Sequence, residues 1–250
     1  SNTDISVQTF ITNSSLEIAK PGKAVVPGRF FIDIIRKINS NKVTLTLIED
    51  KILIIKADRG EYKLHIMDPL DYPNINFVTL ENPLNLPADV IKKIVKQTGF
   101  AAATSEKKPI LTGVHLTLEN NTLTALATDS FRLSQTLISI DDYNPFSITI
   151  PNKSLDELAK ILDGFNDNIT LYFSANKLLV RYKNVLFQTR LLDGNYPDTS
   201  KIIPNSFPII IRFNKDELLS AVERVSLLSP RDKATDREIT YSIIKLTVLK

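Results

Sequence analysis

Apolar residues recur with a helical period in four segments of the 250-residue chain. In the first of these segments, Phe31, Ile34 and Ile35 follow the i, i+3, i+4 spacing of a helix that buries one face. Pro87 and Asn214 stand where helices start in proteins, because proline tolerates a first turn and asparagine caps free N–H groups. The pattern therefore predicts four helices, near residues 28–38, 87–98, 153–163 and 214–228.

Between the helical segments the apolar pattern has a period of two, which is typical of strands with one buried face. Val114 and Leu116 are predicted to point inward and His115 outward into solvent. Turn-forming residues separate such runs, at 119–121 and at 193–195, and this arrangement favours antiparallel hairpins. One helix for every three or four strands predicts an α+β protein, with helices packed on one face of antiparallel sheets.

The chain also repeats itself. The segments that start at residues 24 and 147 each contain a short strand ending in proline, an amphipathic helix, two further strands and a Tyr-Pro turn. Pro27 precedes Pro151 by 124 residues, and Pro73 precedes Pro197 by the same interval. Two other pairs of segments match at intervals of 125 and 127 residues. The sequence therefore predicts a module of about 125 residues.

This module divides the chain into three parts. We call residues 1–80 the first repeat, which lacks the opening third of its module, residues 84–207 the complete second repeat, and residues 208–250 the opening third of a third repeat. Three whole modules predict a parent protein of about 375 residues, of which this chain is a fragment. Two explanations of the shorter chain stay open. Either only this fragment of the parent protein is made, or the full-length parent is made and this chain is one part of it.

Composition excludes several kinds of chemistry. Without cysteine the chain has no disulfide, thiol nucleophile or iron–sulfur cluster, which fits a reducing cytoplasm. Two histidines, His65 and His115, make a histidine metal centre unexpected, and no glycine-rich phosphate loop is present. No apolar run approaches the length of a membrane span, and the first residues do not resemble a signal peptide. We therefore expect a cytoplasmic protein without catalytic residues, metal or cofactor.

Positive charge is concentrated on two of the predicted helices. The net charge of the chain is +3, whereas helices 28–38 and 87–98 each carry a net charge of +2. Lys92, Lys93 and Lys96 are candidates for contact with DNA phosphates, which would give salt-sensitive binding without sequence preference. The alternative is an ordinary solvated helix face. No aromatic residues alternate with these lysines, so stacking on single strands is not favoured.

Two segments, residues 127–134 (ATDSFRLS) and 191–204 (LLDGNYPDTSKIIP), resemble the bacterial sliding clamp family, the DNA polymerase III beta subunit. Residues 107–116 and 150–162 match the same family in order and spacing. The resemblance implies a DNA-clamp fold with three similar domains, two copies of which join head to tail in a ring around duplex DNA. It also implies a non-catalytic processivity factor that binds the replicative polymerase, the clamp loader and repair polymerases through short linear peptides.

The resemblance also implies which residues bind. In the family's peptide-binding cleft, Phe131 stands where the family usually has histidine and Ser130 where some members have glycine. We therefore expect the cleft of this chain to be more apolar than that of other members. Family positions for DNA contact carry over to Arg29, Lys108 and Lys153. The second-repeat wall of the family's peptide cleft carries over to Leu111, Thr128, Ser130, Phe131, Arg132, Leu133, Pro197, Lys201 and Ile202.

Other interpretations of the sequence remain. A hydrolase that uses Asp and Glu is one, although no motif supplies a nucleophile with a base. A repeat-built adaptor that binds proteins but no DNA is another.

Because the family's ring contact uses the first and third domains, we expect this chain alone not to close a stable ring. An unpaired sheet edge in the first repeat would favour swapped association with a second copy.

Overall fold

The computed structural model describes residues 5–11, 16–57, 60–77, 79, 82–141, 143–200, 202–204, 206–227, 245 and 247. The chain divides into two compact units, residues 1–196 and 197–250, which are described separately. The described helices are α1 (Gly28–Lys37), α2 (Ala88–Thr98), α3 (Asn152–Ile161) and α4 (Lys215–Ser226). The period-3.6 prediction is therefore confirmed, with helix ends shifted by one or two residues.

The first unit contains twelve strands in its described part. Four lie in the first repeat: β1 (Ile5–Thr9), β2 (Thr44–Ile48), β3 (Ile52–Ala57) and β4 (Gly60–His65). Eight lie in the second repeat: β5 (Leu84–Pro87), β6 (Gly113–Glu119), β7 (Thr122–Thr128), β8 (Leu133–Ser139), β9 (Phe146–Pro151), β10 (Asn168–Phe173), β11 (Lys177–Tyr182) and β12 (Val185–Arg190).

These strands form three sheets, and every strand pair is antiparallel, as the α+β prediction requires. Their orders are β1-β12-β11-β10-β5, β2-β3-β4 and β8-β7-β6-β9. The strand β1 belongs to the first repeat but pairs with β12 of the second, with Ile5 opposite Thr189. The two repeats are thus joined through a continuous sheet.

The core of the second repeat lies between its two sheets and its two helices. Ile91 and Ile94 of α2 are completely buried, and Leu155 and Leu158 of α3 are nearly so. They pack with inward side chains of both sheets, such as Val114 and the other alternate residues of β6. This confirms the inward alternation that the sequence predicted for β6.

The first repeat has a smaller core in its described part. Leu53, Ile55 and Leu64 form its buried cluster, against which the apolar face of α1 packs in half-buried positions. The strand predicted before α1 is reduced to a single bridge between Val25 and Met67. A strand needs a paired neighbour along its length, and here one residue pair meets.

The predicted turn at 119–121 is confirmed, whereas the turn residues at 193–195 follow β12 and no described strand comes after them. Asn120 and Asn121 both have positive φ, as a two-residue hairpin turn between β6 and β7 requires. In the second unit, Asn214 caps α4 because its side-chain oxygen accepts from the N–H groups of Asp216 and Glu217. Among the described residues, no helix has the length and apolar character needed to cross a membrane.

Candidate binding sites

The loop between β7 and β8 is organised around the side chain of Asp129. Its Oδ1 accepts hydrogen bonds from the backbone N–H groups of Phe131 at 2.9 Å and Arg132 at 3.0 Å. Its Oδ2 accepts from Nε of Arg132 at 3.0 Å, which closes an ion pair within the loop. The loop also contains Ser130 with φ of 78°, a left-handed conformation that side chains seldom adopt. One carboxylate therefore fixes the shape of this loop.

Thr128 and Asp129 hold the two ends of the loop together. Thr128 Oγ1 donates to the carbonyl of Arg132 at 2.6 Å and accepts from the N–H of Ser130 at 3.1 Å. Burial by itself raises the pKa of Asp129, but the N–H groups of Phe131 and Arg132 and the Arg132 guanidinium outweigh it and hold that pKa below its usual value. The carboxylate thus stays ionised, as its hydrogen bonds and ion pair require.

A second support reaches the loop from residue 196. The hydroxyl of Tyr196 accepts a hydrogen bond from the backbone N–H of Thr128 at 3.0 Å. The Tyr196 ring stacks on His115, with ring centroids 4.6 Å apart and planes inclined by 8°. His115 Nδ1 is 2.9 Å from the hydroxyl of Thr149. The prediction of a solvated His115 is therefore wrong, because Tyr196 and Thr149 cover and bind its ring.

The predicted cleft residues of the first unit differ in exposure. The Phe131 side chain is 78% exposed and Arg132 lies beside it at the surface. Leu133 is half-buried at the start of β8. Leu111, on a short 3₁₀ helix, is 3% exposed and Thr128 is buried, so these two contribute mainly to packing. The loop thus presents an aromatic ring and a guanidinium to solvent.

The remaining predicted cleft residues belong to the second unit. Pro197 is exposed, and Ile202 is 63% exposed with its N–H bonded to the carbonyl of Thr199 at 3.0 Å. Lys201 lies outside the described residues. Convergence of these three residues with the loop at 129–132 stays a prediction.

The candidate DNA-binding cations fall into two groups. Lys92 is engaged within the protein, since its Nζ lies 2.6 Å from Asp89 Oδ1 and donates to the carbonyl of Phe165 at 2.8 Å. The others are exposed at the surface, and within the described ranges no ion pair involves them: Arg29, Lys93, Lys96, Lys108 and Lys153. Lys93 and Lys96 stand three residues apart on α2 and share its exposed face.

The sequence patterns did not reveal two features that hold the site, namely the support from Tyr196 and the buried side of His115. The repeat pattern does mark Tyr196, because the pair Tyr72-Pro73 of the first repeat recurs as Tyr196-Pro197 in the second, at the repeat interval of 124 residues. In the part of the chain that the structure describes, no cluster of three His, Cys, Asp or Glu side chains offers a metal site.

Comparisons with known proteins identify related sequences. Residues 1–76 match the N-terminal domain of the DNA polymerase III beta subunit, and residues 85–198 match its central domain. The beta sliding clamp of Bacillus subtilis is 35% identical over 254 residues, covering 99% of this chain and 65% of that protein. That of Staphylococcus aureus is 34% identical with the same coverage. The chain thus spans slightly less than two thirds of these relatives.

Solved structures agree with the sequences. The DNA polymerase sliding clamp of Bacillus subtilis superimposes with a TM-score of 0.85 at 36% identity, covering 93% of this chain and 63% of that one. The DNA polymerase III beta chain of Streptococcus pneumoniae gives a TM-score of 0.85 at 35% identity, covering 91% and 62%. On sequence and fold together, the chain belongs to the DNA polymerase III beta subunit family, the beta sliding clamps.

Proposed function

We propose that this chain forms most of a DNA sliding clamp, a non-catalytic protein that encircles duplex DNA and confers processivity on a replicative polymerase. Membership of the beta subunit family supports this proposal. Residues 1–80 form part of the first clamp domain, 84–207 the second, and 208–250 the start of a third. In the parent protein two copies close head to tail in the cytoplasm.

The observation that carries the proposal is the shape of the loop at 129–132. Two backbone N–H groups and one guanidinium converge on Asp129, so the exposed ring of Phe131 is displayed on a fixed backbone. A preorganised surface loses less entropy when a ligand binds than a mobile loop does. An exposed aromatic ring beside Arg132 suits a short peptide with apolar anchors and an acceptor for the guanidinium.

Such a cleft explains how partners are held. We propose that the replicative polymerase, the clamp loader and repair polymerases dock here through short linear peptides. Because a ring on DNA keeps its partner close to the template, each peptide can bind weakly while the tethered polymerase has a high effective concentration. Within the first unit the cleft comprises the loop at 129–132, Leu111, Thr128 and Leu133, and the assignment of Pro197, Lys201 and Ile202 rests on the family resemblance alone.

The cations form the second half of the proposal. Arg29, Lys108 and Lys153 contact duplex DNA without sequence preference, together with Lys93 and Lys96 of α2. Their exposure and lack of ion pairs with described residues leave these charges available to phosphate groups. Lys92 contributes less, since its ammonium group already binds Asp89 and its side chain is 27% exposed.

Peptide binding is tested with a fluorescent polymerase peptide that contains leucine and phenylalanine, and with its alanine variant. We expect Phe131→Asp or Leu133→Asp to abolish binding, because a carboxylate in an apolar cleft loses its hydration without gaining a partner. Phe100→Asp is the matched control, since Phe100 is also an exposed aromatic of the second repeat. Unchanged affinity in both cleft variants would contradict the proposed cleft.

DNA binding is tested by measuring affinity for duplex DNA against salt concentration. We expect Lys93→Ala with Lys96→Ala to lower the salt slope by about one for each lysine that binds a phosphate group in the wild-type protein. Lys160→Ala is the control, because Lys160 lies on α3 and is paired with Glu157 at 2.7 Å. A wild-type slope in the double variant would remove α2 from the DNA surface. Peptide binding without any DNA binding would favour the adaptor.

A further inference from the structure

A groove of 580 Å³ lies at the junction of the first and second repeats, entirely within the first unit. Its walls come from β1, from the turn that contains Met67 and Tyr72, and from the facing ends of β11 and β12. This volume lies in the range of ligand sites, which is roughly 300–1,000 Å³. No residue of the proposed peptide cleft lines this groove.

Two cations stand together on the wall from the second repeat. Lys177 and Arg190 are directly opposite each other in the β11–β12 register, so their side chains share a face of the sheet. Like charges in such positions repel each other. Neither forms an ion pair with any residue in the described ranges. An anionic group placed between them would therefore relieve the repulsion and bind both.

Apolar surface comes from the first repeat. Val7, Met67 and Tyr72 line the groove and are each at least half exposed, at 50%, 52% and 58%. The same wall carries two carboxylates. Asp68 accepts a hydrogen bond from the N–H of Leu70 at 2.8 Å, and Asp71 lies in the same turn. The cations and the carboxylates thus belong to different walls.

We propose that this groove is a second peptide site, which binds a short segment carrying an acidic residue next to apolar residues. The carboxylate lies between Lys177 and Arg190, and the apolar side chains cover Met67 and Tyr72. Tyr72 and Pro73 precede Tyr196 and Pro197 by 124 residues, so the groove occupies in the first repeat the place of the proposed cleft in the second. In this choice of ligand the inference rests on the proposed function.

Met67 makes a direct test available, because it is the one methionine of the sequence. Protein labelled with ¹³C-methyl methionine gives a single protein methyl signal from inside the groove. The probe is the acetylated, amidated peptide Gly-Asp-Leu-Phe-Gly, and the matched peptide carries Asn in place of Asp. We expect a saturable shift of the Met67 signal with the Asp peptide. Affinity measured from this shift should fall about tenfold with the Asn peptide.

Variants separate this groove from the proposed cleft. Lys177→Gln with Arg190→Gln should weaken the Met67 response about tenfold, whereas Lys107→Gln with Lys160→Gln removes the same charge outside the groove and should leave it unchanged. Phe131→Asp should also leave it unchanged. The inference would be overturned in favour of the cleft by two results together. The Asp peptide would bind by fluorescence anisotropy and lose this binding in Phe131→Asp, and it would cause no shift of the Met67 signal. A Met67 shift caused by a 12-base-pair duplex, but not by the peptide, would overturn it in favour of phosphate.

Discussion

The two repeats contain similar helices that are buried to different depths. Helix α1 has half-buried positions but no fully buried residue, although its whole length is described. Helix α2, with the same apolar period, completely buries Ile91 and Ile94. The period of 3.6 is thus present in both sequences and orients both helices. How deeply each helix is buried depends on what packs against it.

The packing layers explain the difference. The apolar side of α1 meets the buried Leu53, Ile55 and Leu64 of one three-stranded sheet. The helices of the second repeat pack with inward residues of two sheets and with each other. Area removed from water sets the hydrophobic contribution, so an apolar helix residue in the second repeat should contribute more to stability than its equivalent in the first.

Truncation of one isoleucine in each repeat tests this comparison with the largest expected effect. Ile94→Ala should lower the free energy of unfolding by about 2–5 kcal/mol, because it leaves a cavity in a closed core. Ile35→Ala, at a half-buried position of α1, should cost about 1 kcal/mol. Urea unfolding followed by circular dichroism measures both. Equal losses would mean that the first repeat is packed as well as the second.

Glycines give the next largest contrast. A Cβ at Gly113 would lie 2.7 Å from the carbonyl oxygen of Ile150 and 2.7 Å from Leu192 Cδ1, so Gly113→Ala should cost about 1–3 kcal/mol. A Cβ at Gly28, in the first turn of α1, would meet nothing within 4 Å. Gly28→Ala should therefore stabilise by about 0.5–1 kcal/mol. Loss of stability in both variants would contradict this contrast.

The sequence predicted most of the fold, because hydrophobic period and turn residues act locally. The four helices and the alternation in β6 needed no knowledge of distant partners. The strand predicted before α1 failed for the opposite reason. Val25 and its neighbours have a strand-like sequence, but among the described residues Met67 alone pairs with them. Strand formation requires a partner, and a local pattern does not supply one.

The sequence likewise predicts the local part of the site and misses the contacts between distant positions. The loop residues Phe131 and Arg132 follow from a contiguous segment that resembles the family. The hydrogen bond between Tyr196 and Thr128 joins positions 68 residues apart, and that between His115 and Thr149 joins positions 34 apart. Charge alone groups Lys92 with Lys93. Its hydrogen-bond partner Phe165 is 73 residues away along the chain, so the charge pattern did not reveal the pairing.

Tyr72 and Tyr196, which stand at equivalent positions of the two repeats, test the comparison with a smaller expected change in stability. Tyr196 supports the second-repeat loop through its hydroxyl, whereas Tyr72 is 58% exposed at the equivalent place in the first repeat. Tyr196→Phe leaves the N–H of Thr128 without its acceptor and should cost about 1–2 kcal/mol. It should also weaken binding of the polymerase peptide. Tyr72→Phe should change stability by less than about 0.5 kcal/mol. Equal effects would show that the hydroxyl is not a support.

The histidines give the smallest expected effect, which is a dependence of stability on pH. Burial lowers the pKa of His115, although a hydrogen bond with the backbone of Ile148 opposes this, so the folded state favours the neutral ring. In the unfolded chain the pKa is about 6.5. The unfolded state therefore takes up the proton more readily, and protonation favours unfolding. The contribution of His115 is complete above this pKa and is lost as the pH falls through the lower folded-state pKa.

His115→Gln should reduce the loss of stability between pH 7.5 and pH 5.5, because glutamine takes up no proton in this range. His65→Gln is the matched substitution in the first repeat, where His65 is exposed on β4. Urea unfolding at a series of pH values measures the slope. If His115→Gln keeps the wild-type slope, the stack with Tyr196 leaves the ring as accessible to protons as it is in the unfolded chain, and the burial contrast between the two histidines fails.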